Sequence, residues 1–508
     1  MPPASRPLPA LLAVAMLGAC SYQMERVENP VKLPVTWDTP ATATQPAAAV
    51  PAAAQTAAAQ TAAAQTTAVQ PAGTEAAPAS PLVDAAADLP EDWWQDFGSP
   101  VLTQLVNEAL AGNPTVKIAE ERVKQAERAL SVSRDALFPD LSVNASTSRA
   151  KTGGNRVVEN IGESTTINAQ LRYDVDMWGG NAAGLRSSKA SLAATHYDLD
   201  VARITLGANV ATQYFQLLSI RERVALARNN LELAERLLRI VEARYRNGVV
   251  RQLDLTQQTT AVLQLRAALI PLEAQMRQTE TALGLLLGRV PQEFHVAGEE
   301  PLARIAVPEV QPWLPSDLLL RRPDLAAAEA DLSAAQANIA VARANLLPGA
   351  ITFTAAGGMF SPQLLALTDP TKTFSLGGAL SIVDSIFNFR ARKAQLANAR
   401  SSEFITLQNY ASAIRSALKD VDDSLANTQT NQRREESQQA VVDQAQRSLS
   451  LAEVEYREGA GDLQSVLDVQ RTLFSAQDQL SQIRLSRLNS ALDLYVALGG
   501  GWNSPAAP

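Results

Sequence analysis

The chain has 508 residues, 46% hydrophobic but only 5% aromatic, with one cysteine, two histidines and a formal net charge of −8. One cysteine excludes a disulfide framework and a thiolate zinc site, and His196 and His295 lie too far apart to form a spaced ligand or catalytic cluster. The acidic balance argues against a nucleic-acid-binding surface, and no run of about 18 apolar residues reads as a membrane-crossing helix.

At the N-terminus, Arg6 precedes a short apolar stretch, Leu8 to Leu17, which ends in Leu17-Gly18-Ala19-Cys20. Small residues before the lone cysteine resemble the lipobox of bacterial lipoproteins. That resemblance implies a signal peptide over 1–19 and an acylated Cys20, and Ser21 after it implies sorting to the outer membrane. Lipid chains only anchor, so spanning has to be argued from other residues. Residues 20–90 read as a tether. They include three Ala-Ala-Ala-Gln-Thr pentads from Ala52 to Thr66, in a first hundred residues that hold 14 of the 28 prolines. Globular sequence resumes at Glu91-Asp92-Trp93-Trp94.

The rest of the chain is a duplication, with repeats over 91–300 and 301–502 and a tail over 503–508. Pro114, Glu120, Arg134 and Pro139 recur 209 residues later as Pro323, Glu329, Arg343 and Pro348. Ala234, Leu238, Tyr245, Arg246 and Gly248 recur at an offset of 211 as Ala445, Leu449, Tyr456, Arg457 and Gly459, and Leu287-Gly288 recurs as Leu498-Gly499. Two copies suit one pseudo-symmetric domain rather than a solenoid.

Each repeat opens with a helix ending at a proline, Pro114 to Phe138 and Pro323 to Leu347. Alternating apolar and polar residues then predict strands over about 141–150 and 164–175, and over about 350–359 and 373–383, each near the length of a membrane strand. Proline-free stretches predict long helices over about 184–247 and 389–458, roughly 95 to 105 Å each. Heptad-like stripes (Ala227, Leu231, Ala234, Leu238, Val241, Tyr245; Val442, Ala445, Leu449, Ala452, Tyr456) mark their far ends, and Leu233, Leu237 and Ile240 form a second stripe beside the first. Two stripes call for neighbours on both sides, as in a wall of helices. Gly248 and Gly459 turn the chain, and returning helices run to Gly288 and Gly499. A returning helix and the opening helix, end to end, match one long helix in length.

Four strands cannot close a barrel alone, and lipid does not tolerate open strand edges. Three chains would supply twelve strands, above a ring of helices around a lumen. Either several chains pool their strands in this way or these are not membrane strands; the predicted fold class is α+β, mainly α.

Several short motifs now combine. Arg321-Arg322-Pro323-Asp324-Leu325, Tyr456-Arg457-x-Gly459, Val466-Leu467-Asp468-Val469-Gln470-Arg471 and Ala497-Leu498-Gly499-Gly500-Gly501-Trp502 resemble the TolC/OprM (NodT-type) outer-membrane factors, over about Trp93 to Trp502. The resemblance implies a homotrimeric exit duct, a trimeric 12-stranded outer-membrane barrel (four strands per chain) continuous with a 12-helix periplasmic tube, partnered by a periplasmic adaptor and an inner-membrane RND-type pump, with no cofactor beyond lipid on Cys20. It places a periplasmic gate at Asp468 and Arg471, gives Asp254 as the first-repeat counterpart of the acidic position, and lets Tyr456 hydrogen-bond toward Asp254 of the neighbouring hairpin. Gln464 departs from the pattern, standing where relatives carry a leucine ring. Without the resemblance, Asp468 and Arg471, one helical turn apart, read as an ordinary solvated i,i+3 ion pair. Trp178 and its repeat partner Phe387 read equally as interfacial aromatics or as packing at the strand-to-helix corner, and Arg322 as a structural residue at a helix start in the equatorial region. The leading function is passive small-molecule efflux. Protein secretion through the same fold and a non-channel coiled-coil lipoprotein scaffold are the alternatives, and an enzyme is remote because no nucleotide loop or triad pattern is present.

Overall fold

The computed structural model describes residues 92–152, 160–296, 298, 300–308, 321–347, 350–362, 371–381 and 388–502. Cys20, the tether, the Gly153-Gly154 turn, Phe387 and the 503–508 tail lie outside the described residues. After a short 3-10 turn, Trp93–Phe97, come α1 (Pro100–Gly112), α2 (Pro114–Asp135), β1 (Asp140–Thr152), β2 (Asn160–Val175), α3 (Gly180–Arg246) and α4 (Gln252–Leu286). The second repeat supplies α5 (Pro323–Leu346), β3 (Ala350–Ser361), β4 (Thr371–Ser381), α6 (Phe389–Arg457) and α7 (Leu463–Ala497).

The four strands form one antiparallel sheet in chain order, with β1 and β4 as its edges. Its register sorts the side chains. Leu141, Leu171, Ala355 and Leu376 share a row, as do Val143, Ala169, Gly357 and Phe374, then Ala145, Ile167, Met359 and Lys372, with Tyr173 and Phe353 beneath. Apart from Lys372 at the outer end, these rows put one face of the sheet in largely apolar residues over about 20 Å of strand, close to the roughly 25 Å apolar band of an outer-membrane barrel. The opposite face carries Ser142, Asn144, Asn168, Gln170 and Thr354. Phe374 is 80% exposed, and its ring lies over Gly357, whose missing side chain leaves the space.

α3 begins at Gly180, four residues before the expected start. Gly179 takes the left-handed conformation (φ 70°), and the Asp176 carboxylate accepts from the Asn181 and Ala182 amides at 3.1 and 2.8 Å, a capping arrangement that favours helix from there. At 67 and 69 residues, α3 and α6 run about 100 Å each. The two extra residues of α6 account for the step from an offset of 209 to one of 211. α3 packs between the α2 and α4 pair and the α5 and α7 pair, with α6 against the far side of α5 and α7.

The stacked pairs meet at capped junctions. Asn113 accepts from the Thr115 amide at 2.7 Å, capping α2, and donates to the Leu286 carbonyl at the end of α4, also at 2.7 Å. In the second repeat Arg322, just ahead of α5, donates to the Ala497 carbonyl of α7 at 3.0 Å and pairs with Asp324. Asn113 and Arg322 are 209 residues apart and their acceptors 211, so the junction is duplicated with a different donor. Partway down α3, the Trp93–Phe97 turn and α1 build an aromatic core with Tyr214, Phe215 and Tyr495. Trp93 sits against Gly207 of α3, about 40 Å from the sheet end of that helix. Burial pushes the Tyr214 and Tyr495 hydroxyls up from the usual phenol range, and they donate to Glu300 and Asp96, each at 2.7 Å.

Candidate functional site

The far ends of the long helices are where four helices of the chain converge. Gly248 and Gly459 adopt φ of 71° and 79°. The amide following each bonds back to a carbonyl five residues earlier, Val249 to Arg244 and Ala460 to Glu455, both at 2.9 Å. This is the Schellman geometry that ends a helix on glycine. The hairpins are welded by Leu237 and Val241 of α3 against Leu463 and Leu467 of α7, and by Tyr456, which lies within both tip clusters. Gln470 donates to Asn230 across the same seam at 3.3 Å.

The two returning helices start differently. Arg251 precedes α4, and Asp254, its third residue, accepts from the Arg251 amide at 3.0 Å and from the Arg251 guanidinium at 3.2 Å. Asp462 precedes α7 and accepts from the Ser465 amide at 2.7 Å. The acid has changed ends of the cap between repeats. Asp462 is held below the usual carboxylate range, chiefly by the hydrogen bond from the Ser465 backbone.

The register of the two repeats corrects one sequence expectation. Asp254 and Asp468 are not counterparts: in the 211-residue register Asp254 stands opposite Ser465, and Asp468 opposite Gln257. A carboxylate at the third helical position is drawn into capping, whereas one three residues further in is not. Within the chain, moreover, Tyr456 does not bond to Asp254. Its buried hydroxyl has no hydrogen-bond partner, while the Arg244 guanidinium lies 4.8 Å above its ring. Arg244 was missed, because cation–π stacking between helices of different repeats leaves no spacing signal in the sequence.

Asp468 and Arg471 are brought together, 3.3 Å apart, and both remain mostly exposed (56% and 63%). Gln464 joins them, its amide donating to both Asp468 oxygens at 3.1 and 3.2 Å. The polar residue in place of a leucine thus adds a third member to a charged stripe facing away from the tip core. Among the described residues there is no group of His, Cys, Asp and Glu able to hold a metal ion.

Residues 105–289 and 314–500 match the outer membrane efflux protein family. The pyoverdine export outer membrane protein OpmQ of Pseudomonas aeruginosa is 36% identical over 427 residues, covering 82% of this chain and 89% of that protein. The probable outer membrane lipoprotein SilC of Salmonella typhimurium is 31% identical over 83% of this chain and 90% of its own length. Among solved structures, the outer-membrane channel OprN superposes with a TM-score of 0.74 at 26% identity, covering 82% of this chain and 94% of that one. The open-state Neisseria gonorrhoeae MtrE outer membrane channel gives 0.73 at 27%, covering 84% and 95%. Matched in both repeats and in the whole run of sheet and helices, the chain belongs to the outer membrane efflux protein family, whose members are outer-membrane exit ducts of efflux systems.

Proposed function

We propose that three copies close head to tail into one conduit, passively conducting small molecules delivered by an inner-membrane RND-type pump through a periplasmic adaptor, and that the duct itself makes and breaks no bonds. The observation that carries this is the joining of an apolar-faced, four-stranded sheet to two helices of about 100 Å. Such a sheet has two open edges, which lipid does not tolerate. The helical layer ends on the same sides. Exposed Ile118 and Val132 of α2 and Leu263 and Ile270 of α4 lie on the side of β1, and exposed Phe404, Ile405 and Leu451 of α6 on the side of β4. Two unlike edges belong to a heterologous interface that closes as a ring. Two copies would give eight strands, whose interior side chains fill; three give twelve and leave a lumen.

The stripe Gln464, Asp468 and Arg471, repeated around the axis, forms the constriction at the periplasmic mouth. The relatives' names cover pyoverdine, toluene and solvent, which suits a duct that carries what its pump supplies. Single-channel recording in planar bilayers, with Asp468→Ala alongside the native chain, tests the reading. The expected result is a small native conductance that rises several-fold in the variant. Equal, sizeable conductance in both would remove Asp468 as a lock, and well-folded protein without channels would favour the coiled-coil scaffold.

A further inference from the structure

β3 carries one residue at odds with the face it occupies. The polar face of the sheet, which in the barrel reading lines the lumen, alternates along β3 through Thr352, Thr354, Ala356 and Gly358 to Phe360. Across the four strands, every other described side chain on this face is polar, or is alanine or glycine. Phe360 is flanked by Thr166 on β2 and Thr371 on β4 and is 41% exposed. β3 is an inner strand of the sheet, so this ring is not spent on a seam between copies. Its height is known as well: it lies at the end of β3 far from the helices, level with Lys372 and Met359 on the lipid face, near the outer mouth.

We propose that Phe360 is a cargo-contact residue, three rings forming an aromatic station near the outer mouth of the duct for small molecules with a flat apolar or aromatic face. The proposal rests on the barrel reading. Three phenyl rings on a backbone circle roughly 24 Å across narrow the passage without sealing it. Among the polar, alanine and glycine residues described on this face, an apolar ring gives a passing aromatic a place to shed hydration. A single aromatic contact is worth about a two- to tenfold gain in local residence, enough to sort cargo without trapping it.

The test uses the full chain in intact outer membranes and needs no open tip. Cys20 is the sole native cysteine, so Thr371→Cys serves as a reporter for a hydrophilic maleimide added outside. At about 0.3 M, naphthalene-1-sulfonate is expected to slow its labelling about two- to fivefold while methanesulfonate at the same concentration does not. Protection should vanish when Phe360→Ser is added and persist with Phe360→Trp. No protection in Thr371→Cys, or protection surviving Phe360→Ser, overturns the proposal. An unreactive Thr371→Cys also overturns it, since the station would be covered. Phe374→Cys on the lipid face separates the two readings: it should stay inert to the hydrophilic reagent, and labelling as fast as Thr371→Cys would sink the barrel reading itself.

Discussion

Asn113 does with one amide what a helix end otherwise needs two residues for. It caps α2 and takes up a terminal carbonyl of α4, and it is almost fully buried. Asn113→Ala should therefore lose the cap and leave the Leu286 carbonyl short of a donor, costing about 1–3 kcal/mol, read as a lower denaturation midpoint of the assembled protein. The glycines make a sharper comparison. Gly459 and Gly499 both have positive φ, 79° and 101°. A Cβ on Gly459 meets nothing within 4 Å, whereas one on Gly499 would drive into the Arg321 carbonyl oxygen, where α7 meets the start of α5. Gly459→Ala should cost about 1–2 kcal/mol, the left-handed penalty alone, and assemble normally. Gly499→Ala adds a backbone collision, beyond about 3 kcal/mol, and should fail to yield folded protein. Equal yields from the two variants would show that the junction yields where the geometry says it is rigid.

At the scale of the helix, the second tip hangs on Asp462. Its carboxyl is held below its ordinary value of 3.8, mainly by the Ser465 amide. A depressed folded-state pKa means the stabilisation is complete above that ordinary value and is lost as pH falls below it, through the folded-state value. Amide protection factors at the start of α7, exchange rates taken relative to the unstructured chain at the same pH, should fall on acidification through this window, and Asp462→Asn should remove that pH dependence. Elements of this kind were largely legible in the sequence. Strict alternation around Val143 and Leu171 announced strands, and the 209- and 211-residue offsets announced paired hairpins, because both follow from backbone periodicity. The pairing of Asp468 with Arg471 followed from one-turn spacing. What sequence could not supply was the partner of each polar group across helices. Whether the Tyr456 hydroxyl finds an acceptor depends on how α3 and α6 pack, and Arg244 over its ring is set by that packing alone. Asp254 was misassigned because residue type was matched without counting its place from the helix start. Arg322 was read as structural at a helix start, as it is, but its kinship with Asn113 went unread because the duplicated junction is carried by two different side chains.

For the whole molecule, the decisive question is how one chain ends and the next begins. The sheet and the helical wall present unlike edges on matching sides: β1 with α2 and α4, β4 with α6. Val132 on α2 and Phe404 on α6 are largely exposed, though each belongs to a well-formed helix whose inward residues are packed. An exposed apolar residue alone means little, but apolar residues recurring down two facing edges mark an interface. Val132→Glu and Phe404→Glu touch no described core residue, so each chain should keep its helical content. Both should nevertheless lose the assembled species, because a heterologous ring fails when either half of its repeated contact carries an undischarged acid. Native electrophoresis or light scattering of the solubilised protein reads this directly. The second-site pair makes the inference strict. Ile118, about as far from the sheet end of α2 as Phe404 is from that of α6, supplies the second site: if the two face each other across the seam, Ile118→Lys combined with Phe404→Glu should recover assembly that neither single variant retains. Recovery by charge complementarity cannot arise within one chain whose α2 and α6 lie on opposite sides of α3 and the α5 and α7 pair.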